Sequence, residues 1–183
     1  MDRPVRPSGF TLVELIVTIA IAAIILTIGI PSFRTLIANS TVTSEVNQLV
    51  AYMHLARSEA IKRGRNAVLC ATSDGQTCSK SIEWQHGFMV FADLNKNRTK
   101  DADDVILTVH QPKEKRIRIL SAKSNYGRKT ISYYPSGMSP GSTATIEFCD
   151  SEGIGTSKAV IVSNTGRPRV SDKRPDGAEI TCN

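Results

Sequence analysis

The sequence predicts an α+β protein in which one long N-terminal helix, apolar all round in its first half and amphipathic in its second, packs on a C-terminal antiparallel β-rich head. Three observations predict it. Residues 10–30 are almost uninterruptedly apolar, and residues 42–60 carry apolar side chains at helical spacing. Beyond Gly64 the period shortens to that of strands separated by turn residues. With 183 residues, 40% apolar and 22% charged, the whole chain suits one ordinary domain plus something extra. That balance excludes wholesale disorder, a collagen-like repeat, a polytopic membrane protein and a large two-domain enzyme.

The first nine residues are polar, carry Arg3 and Arg6, and end in Gly9. They read as a leader, residues 1–9, outside the fold. A secretory signal would be cut after the apolar stretch, behind small residues, but Ile28-Gly29-Ile30-Pro31 is followed by Ser32-Phe33-Arg34 without such a pattern. The cut is therefore expected before the stretch, at Gly9/Phe10, leaving an anchor over residues 10–33. The 21 residues of the stretch 10–30 rise about 1.5 Å each, enough for a hydrocarbon core of about 30 Å. Pro31 predicts a kink or local unwinding near residues 29–31. The helix then resumes with a stripe of Val42, Val46, Leu49, Val50, Met53, Ala56 and Ala60, leaving Asn47, Gln48 and His54 off the core. It stops at Lys62-Arg63-Gly64, after about 80 Å in all.

Gly9-Phe10-Thr11-Leu12-Val13-Glu14-Leu15 resembles the processing site of type IV prepilins and pseudopilins. The resemblance implies cleavage after Gly9 by a prepilin peptidase, methylation of the new amino terminus on Phe10, and a carboxylate at Glu14 that meets the terminal amine of a neighbouring subunit during pilus assembly. It also implies a pilin-like fold. Independently, a lone carboxylate in an apolar span is costly and should find a cationic partner. The competing assignment places Glu14 in the first helical turn, favoured by the helix dipole.

Eight short strands are expected, at 67–71, 88–91, 105–109, 116–120, 130–134, 144–149, 158–163 and 167–170, with longer loops at 72–86, 93–104 and 135–143. No linker divides residues 34–183, which read as one soluble α+β head. Four cysteines in an exported domain point to two disulfides and allow three pairings. The favoured one joins Cys70 to Cys78, closing the first loop, and Cys149 to Cys182, pinning the tail to a strand, at roughly 2–4 kcal/mol each.

The search for chemistry is mostly negative: no nucleophile elbow, metalloprotease motif, phosphate-binding loop or dinucleotide fingerprint is present. The chain is expected not to be an enzyme, and no cofactor or metal is expected. His54, His86 and His110 lie in separate segments. Asp93, Asn95, Asn97, Asp101 and Asp104 fall at positions 1, 3, 5, 9 and 12 of a calcium-like loop, but Arg98 stands where such a loop needs glycine. A turn-rich connection whose Asx side chains bond their own backbone is the preferred assignment.

Positive charge is the more informative feature. Of a net +6, the segment from residue 111 onward holds twelve Lys/Arg against seven Asp/Glu. On an exported domain such a surplus suggests a polyanion. In Asn164-Thr165-Gly166-Arg167-Pro168-Arg169-Val170, a turn followed by extended chain would put Arg167 and Arg169 on one face about 6.6 Å apart. Guanidinium forks suit phosphate oxygens, and Pro168 suits an edge strand. Lys173 and Arg174 extend the patch. Gly166-Arg167-Pro168-Arg169 resembles the GRxR motif of FimT-type minor pilins, members of the GspH family implicated in DNA binding during natural transformation. The resemblance implies a minor pilin of FimT/FimU type, with DNA-binding residues Gly166, Arg167, Arg169, Lys173 and Arg174. Its partners would be double-stranded DNA, other pilin subunits and the prepilin peptidase. It would sit in the bacterial inner membrane, head in the periplasm, before assembly, and in the extracellular pilus afterwards. The alternatives are a pseudopilin of type II secretion or a priming pilin without DNA binding, and an adhesin for acidic glycans.

Overall fold

The computed structural model describes residues 9–112, 116–122 and 127–182. Two compact units are present, Met1–Ile37 and Ala38–Asn183, and helix α1 (Leu12–Arg63) contributes to each. Ala38, where the second unit begins, is also the first buried side chain of the helix. Residues 1–8 of the expected leader, and Lys113, Lys115 and Lys123 of the basic segment, lie outside the described residues.

In the first unit, Thr11 and Glu14 form a capping box. The Thr11 amide and hydroxyl each donate to Glu14 Oε2 at 2.9 Å, and the Glu14 amide donates to Thr11 Oγ1 at 3.3 Å. The helix is unbroken through Pro31, so the expected local unwinding is absent. A proline deletes one donor from the ladder, and the bonds on either side hold the turn together here. The apolar side chains from Phe10 to Leu36 are exposed, and the segment is long and apolar enough to cross a membrane.

In the second unit, α1 buries Val42, Val46, Leu49, Met53, Ala56 and Ala60 of the stripe expected from spacing, with Val50 half-buried beside them, and Ala38 one turn earlier. The helix ends with Lys62 and Arg63 in its last turn and Gly64 at φ +61°, the left-handed stop that glycine adopts without strain. All eight expected strands form, with ends shifted by one or two residues: β1 (Asn66–Ala71), β2 (Phe88–Asp93), β3 (Val105–His110), β4 (Ile117–Ser121), β5 (Thr130–Tyr133), β6 (Ala144–Asp150), β7 (Lys158–Val162) and β8 (Pro168–Ser171). They make two four-stranded antiparallel sheets, β3-β2-β1-β5 and β4-β6-β7-β8.

Strand alternation decides what each face does. Leu69, Phe88, Val90, Ile131 and Tyr133 of the first sheet join Ile119, Ile146, Phe148, Val160 and Val162 of the second, closing one core with the helical stripe. The opposite face of the first sheet buries Val68, Cys70, Met89 and Phe91, and that of the second buries Leu120, Cys149, Ala159 and Ile161 beneath Ile180 and Cys182. Disulfides hold a cover on each outer face. Cys70 bonds Cys78 across 5.7 Å between Cα atoms, and Cys149 bonds Cys182 across 6.2 Å.

Within the first disulfide loop Asp74 organises the chain. Its Oδ1 accepts the Thr77 and Gln76 amides, each at 2.8 Å, and its Oδ2 accepts the Thr77 hydroxyl at 2.7 Å. These bonds, the Thr77 amide first, hold its carboxyl well below the usual carboxylate range. A folded pKa below the unfolded one means the stabilisation is complete above about pH 4 and is lost as pH falls toward the folded value. In a ¹³C-detected carboxyl titration Asp74 should stay ionised at pH 3, where a solvated aspartate is mostly protonated. Titration with an ordinary midpoint would show that the loop does not hold the carboxylate.

Candidate nucleic-acid interface

The β7–β8 hairpin is built around Gly166, whose amide donates to Ser163 O at 2.9 Å with φ +73°. A Cβ there would lie 2.5 Å from Gly137 O and 3.1 Å from the Tyr133 ring, so conformation and space both demand glycine. The turn is tied to the loop after β5. The Ser139 amide donates to Asn164 O at 3.0 Å, while the Gly141 amide and Thr143 hydroxyl donate to Asn164 Oδ1 at 3.2 and 3.1 Å.

The register pairs Arg169 with Ile161 and Pro168 with Val162. Ile161 belongs to the outer cluster of the second sheet and Val162 to the core, so Arg169 stands on the outer face. Pro168 opens the edge strand β8, where a missing donor costs nothing. Arg167 leaves the turn just ahead of it. Both arginines are exposed, and among the described residues neither guanidinium has a hydrogen bond or ion pair.

Lys173 and Arg174 are differently engaged. Arg174 Nε lies 2.5 Å from Glu147 Oε1, its Nη2 is 3.0 Å from Oε2, and the same nitrogen donates to Thr181 Oγ1 at 3.1 Å. Glu147 is 2% exposed, so this fork neutralises a buried carboxylate, and the bonds to it raise the arginine's pKa further. Lys173 Nζ lies 3.2 Å from Glu179 in an exposed pair of the kind that contributes little. Of the two residues expected to extend the positive patch, Arg174 is therefore held against a buried carboxylate, and Lys173 stands in an exposed ion pair. Sequence reasoning missed Glu147. Alternation marks it as an outward side chain between core residues Ile146 and Phe148, and only the tail pinned by Cys149–Cys182 buries it. A cleft of about 540 Å³ lies beside the pair, lined by Leu120, Thr145, Asp176 and Thr181 among others.

The 93–104 loop turns its oxygens onto its own backbone. Asp93 accepts the Asn97 and Arg98 amides at 3.2 and 3.0 Å, and Asp104 accepts those of Leu94 and Asp101 at 2.8 and 2.9 Å. Arg98 has φ 62°, the left-handed conformation a glycine would take there. The three histidines are not gathered: His110 meets Glu45 at 2.9 Å, His86 lies 3.7 Å from Glu83, and His54 is exposed. Among the described residues no three His, Cys, Asp or Glu side chains form a group suited to a metal ion.

The fold resembles two crystal structures of the type IV minor pilin FimU of Pseudomonas aeruginosa. One, in space group P6₅, aligns at 17% identity and TM-score 0.53 over 70% of this chain and 91% of that one. The other, in P2₁, aligns at 17% identity and TM-score 0.57 over 79% and 96%. The search of curated proteins found no match. The profile of the prokaryotic N-terminal methylation motif matches residues 6–30, spanning Gly9-Phe10 and Glu14. The profile described as type II transport protein GspH matches residues 45–166, two thirds of the chain, from the amphipathic half of α1 to Gly166. With a methylation motif on its apolar helix and a pilin fold in its head, this chain belongs to the GspH family.

Proposed function

We propose that the protein is a minor pilin of a type IV pilus that binds extracellular double-stranded DNA without sequence preference and promotes its uptake in natural transformation. Cleavage after Gly9 by a prepilin peptidase would leave Phe10 as the methylated terminus, with the head in the periplasm before assembly and outside the cell afterwards. Glu14 would then trade its cap on Thr11 for the terminal amine of a neighbouring subunit. The observation that carries DNA binding is the pair Arg167 and Arg169, exposed on a hairpin fixed by Gly166 and without any acidic partner among the described residues. Phosphate contacts of this kind position a protein without reading bases. Affinity should be weak at physiological salt, with dissociation constants of about 10⁻⁴–10⁻⁶ M.

A second reading, a pseudopilin of type II secretion or a priming pilin that contacts only other pilins, is favoured by the description of the matching family and by the neutralisation of Arg174. The deciding measurement is duplex binding by the full chain in nonionic detergent as a function of salt, beside Arg167→Gln/Arg169→Gln. DNA binding predicts that the variant is weakened on unrelated sequences, by about tenfold per arginine at 50 mM salt, with a log–log slope shallower by about 2. Equal binding by variant and wild type, or none by wild type at low salt, would hand the assignment to the pilin-contact reading. Competition by heparin but not by DNA would instead identify an acidic glycan as the ligand.

A further inference from the structure

With Arg174 spent on Glu147, the question is where a second set of uncompensated, positioned cations lies relative to the hairpin. Two arginines held by hydrogen bonds qualify, and both touch the loop bonded to the hairpin turn; Arg57 also reaches that loop, beside Gly137, but no hydrogen bond of its side chain fixes it among the described residues. Arg128 is fixed at three points: its amide donates to Ser121 Oγ at 2.7 Å, its carbonyl accepts Trp84 Nε1 at 3.1 Å, and its Nε donates to Thr143 O at 3.1 Å. Thr143 is the residue whose hydroxyl bonds Asn164 of the turn. Arg98 is held by Asp93 through its amide, and its Nη2 donates to the Tyr134 hydroxyl at 3.0 Å. That same Nη2 lies 3.9 Å from where a Cβ of Gly141 would stand, and the Gly141 amide bonds Asn164. Both guanidiniums are therefore oriented by neutral oxygens and pair with no carboxylate among the described residues, whereas Arg116, Lys173 and Arg174 lie against carboxylates. The loop between them, Tyr134-Pro135-Ser136-Gly137-Met138-Ser139-Pro140-Gly141-Ser142-Thr143, has no acidic residue.

We infer that Arg98 and Arg128 complete the DNA site, so that the phosphate footprint is a frame of four arginines, Arg98, Arg128, Arg167 and Arg169, around the 134–143 loop rather than a strip running into the C-terminal tail. The inference rests on the proposed DNA binding and gives that site its extent. Two hydrogen-bonded guanidiniums and two free ones, spread around a loop without acidic residues, suit the phosphates of a duplex better than a compact anion, which would need them to converge on one point.

The test uses the full chain in nonionic detergent with a duplex of mixed sequence, titrated from 50 to 200 mM salt. Arg98→Gln/Arg128→Gln should weaken binding by about tenfold per arginine at 50 mM salt and flatten the log–log slope by about 2. Arg118→Gln removes an exposed arginine opposite Cys149, at the other end of β6 from the loop, and should change neither quantity. Arg98→Lys/Arg128→Lys loses the same oriented fork but keeps the charge, and should recover most of the slope. If the glutamine pair behaves like Arg118→Gln while Arg167→Gln/Arg169→Gln is weakened, the frame is wrong and the footprint is confined to the hairpin. If the lysine pair loses as much slope as the glutamine pair, the two arginines act by shaping the loop and the frame is again wrong. If Arg167→Gln/Arg169→Gln also has no effect, the DNA reading itself has failed.

Discussion

Replacing Arg174 with alanine should lower the unfolding free energy of the head by about 3 kcal/mol, far more than removing an exposed cation would. The carboxylate of Glu147 is 2% exposed and receives two bonds from the Arg174 fork. Deleting one partner of a buried pair costs about 3–5 kcal/mol because the other charge stays behind without compensation. The cleft beside Glu147 admits water, which sets the expectation at the lower end. Arg174→Ala/Glu147→Gln should recover much of the loss, and a double-mutant cycle by urea denaturation measures the coupling directly. An Arg174→Ala variant as stable as wild type would show that Arg174 does not fasten the tail and would return it to the candidate DNA surface. With the Cys149–Cys182 bond, whose 33-residue span is worth about 3–4 kcal/mol, the pair makes the tail part of the second sheet's outer layer. Hence Arg174 is structural before it is anything else, whereas Lys173, in an exposed pair, adds little to the tail's hold.

That division between what periodicity reveals and what it conceals runs through the whole chain. The helical stripe and all eight strands were legible because they depend on local spacing: Val42, Val46 and Leu49 face one way at a period near 3.6, and Ile146 and Phe148 face one way at a period of 2. The unbroken helix at Pro31 was not legible. Whether one missing donor bends or unwinds a helix depends on the turns around it, not on the proline itself. Neither was the fate of Arg174, since a run of basic residues carries no mark of an acid 27 positions earlier in sequence that a returning tail will meet. Arg98 shows the same limit. It stood out as the wrong residue for a calcium loop, and its contact with Tyr134, 36 residues away, exists only once β2 and β5 flank β1 in one sheet. Local rules place side chains on faces; they do not say which distant segment will cover a face or leave it open.

Gly166 is where local and distant demands coincide, and Gly166→Ala should destabilise the head by about 2–4 kcal/mol. The left-handed φ of +73° alone costs an L residue about 1–2 kcal/mol. Beyond that, the new methyl would stand 2.5 Å from Gly137 O, a backbone atom that cannot rotate away. Gly137 is itself held in its turn, its amide bonded to Tyr134 O at 2.8 Å. Gly153 supplies the control: its φ is +69°, yet nothing lies within 4 Å of its Cβ position. Gly153→Ala should therefore show the conformational cost alone, and the excess at Gly166 measures the close approach of the hairpin to the 134–143 loop. DNA binding should fall in Gly166→Ala although every arginine remains, because the turn that aims Arg167 and Arg169 must shift to admit the methyl. Equal destabilisation by the two substitutions would mean that the loop yields without cost, and the glycine of the motif would then matter only for its φ. An excess at Gly166, together with weakened binding, would make the glycine the residue that converts two mobile arginines into a positioned pair.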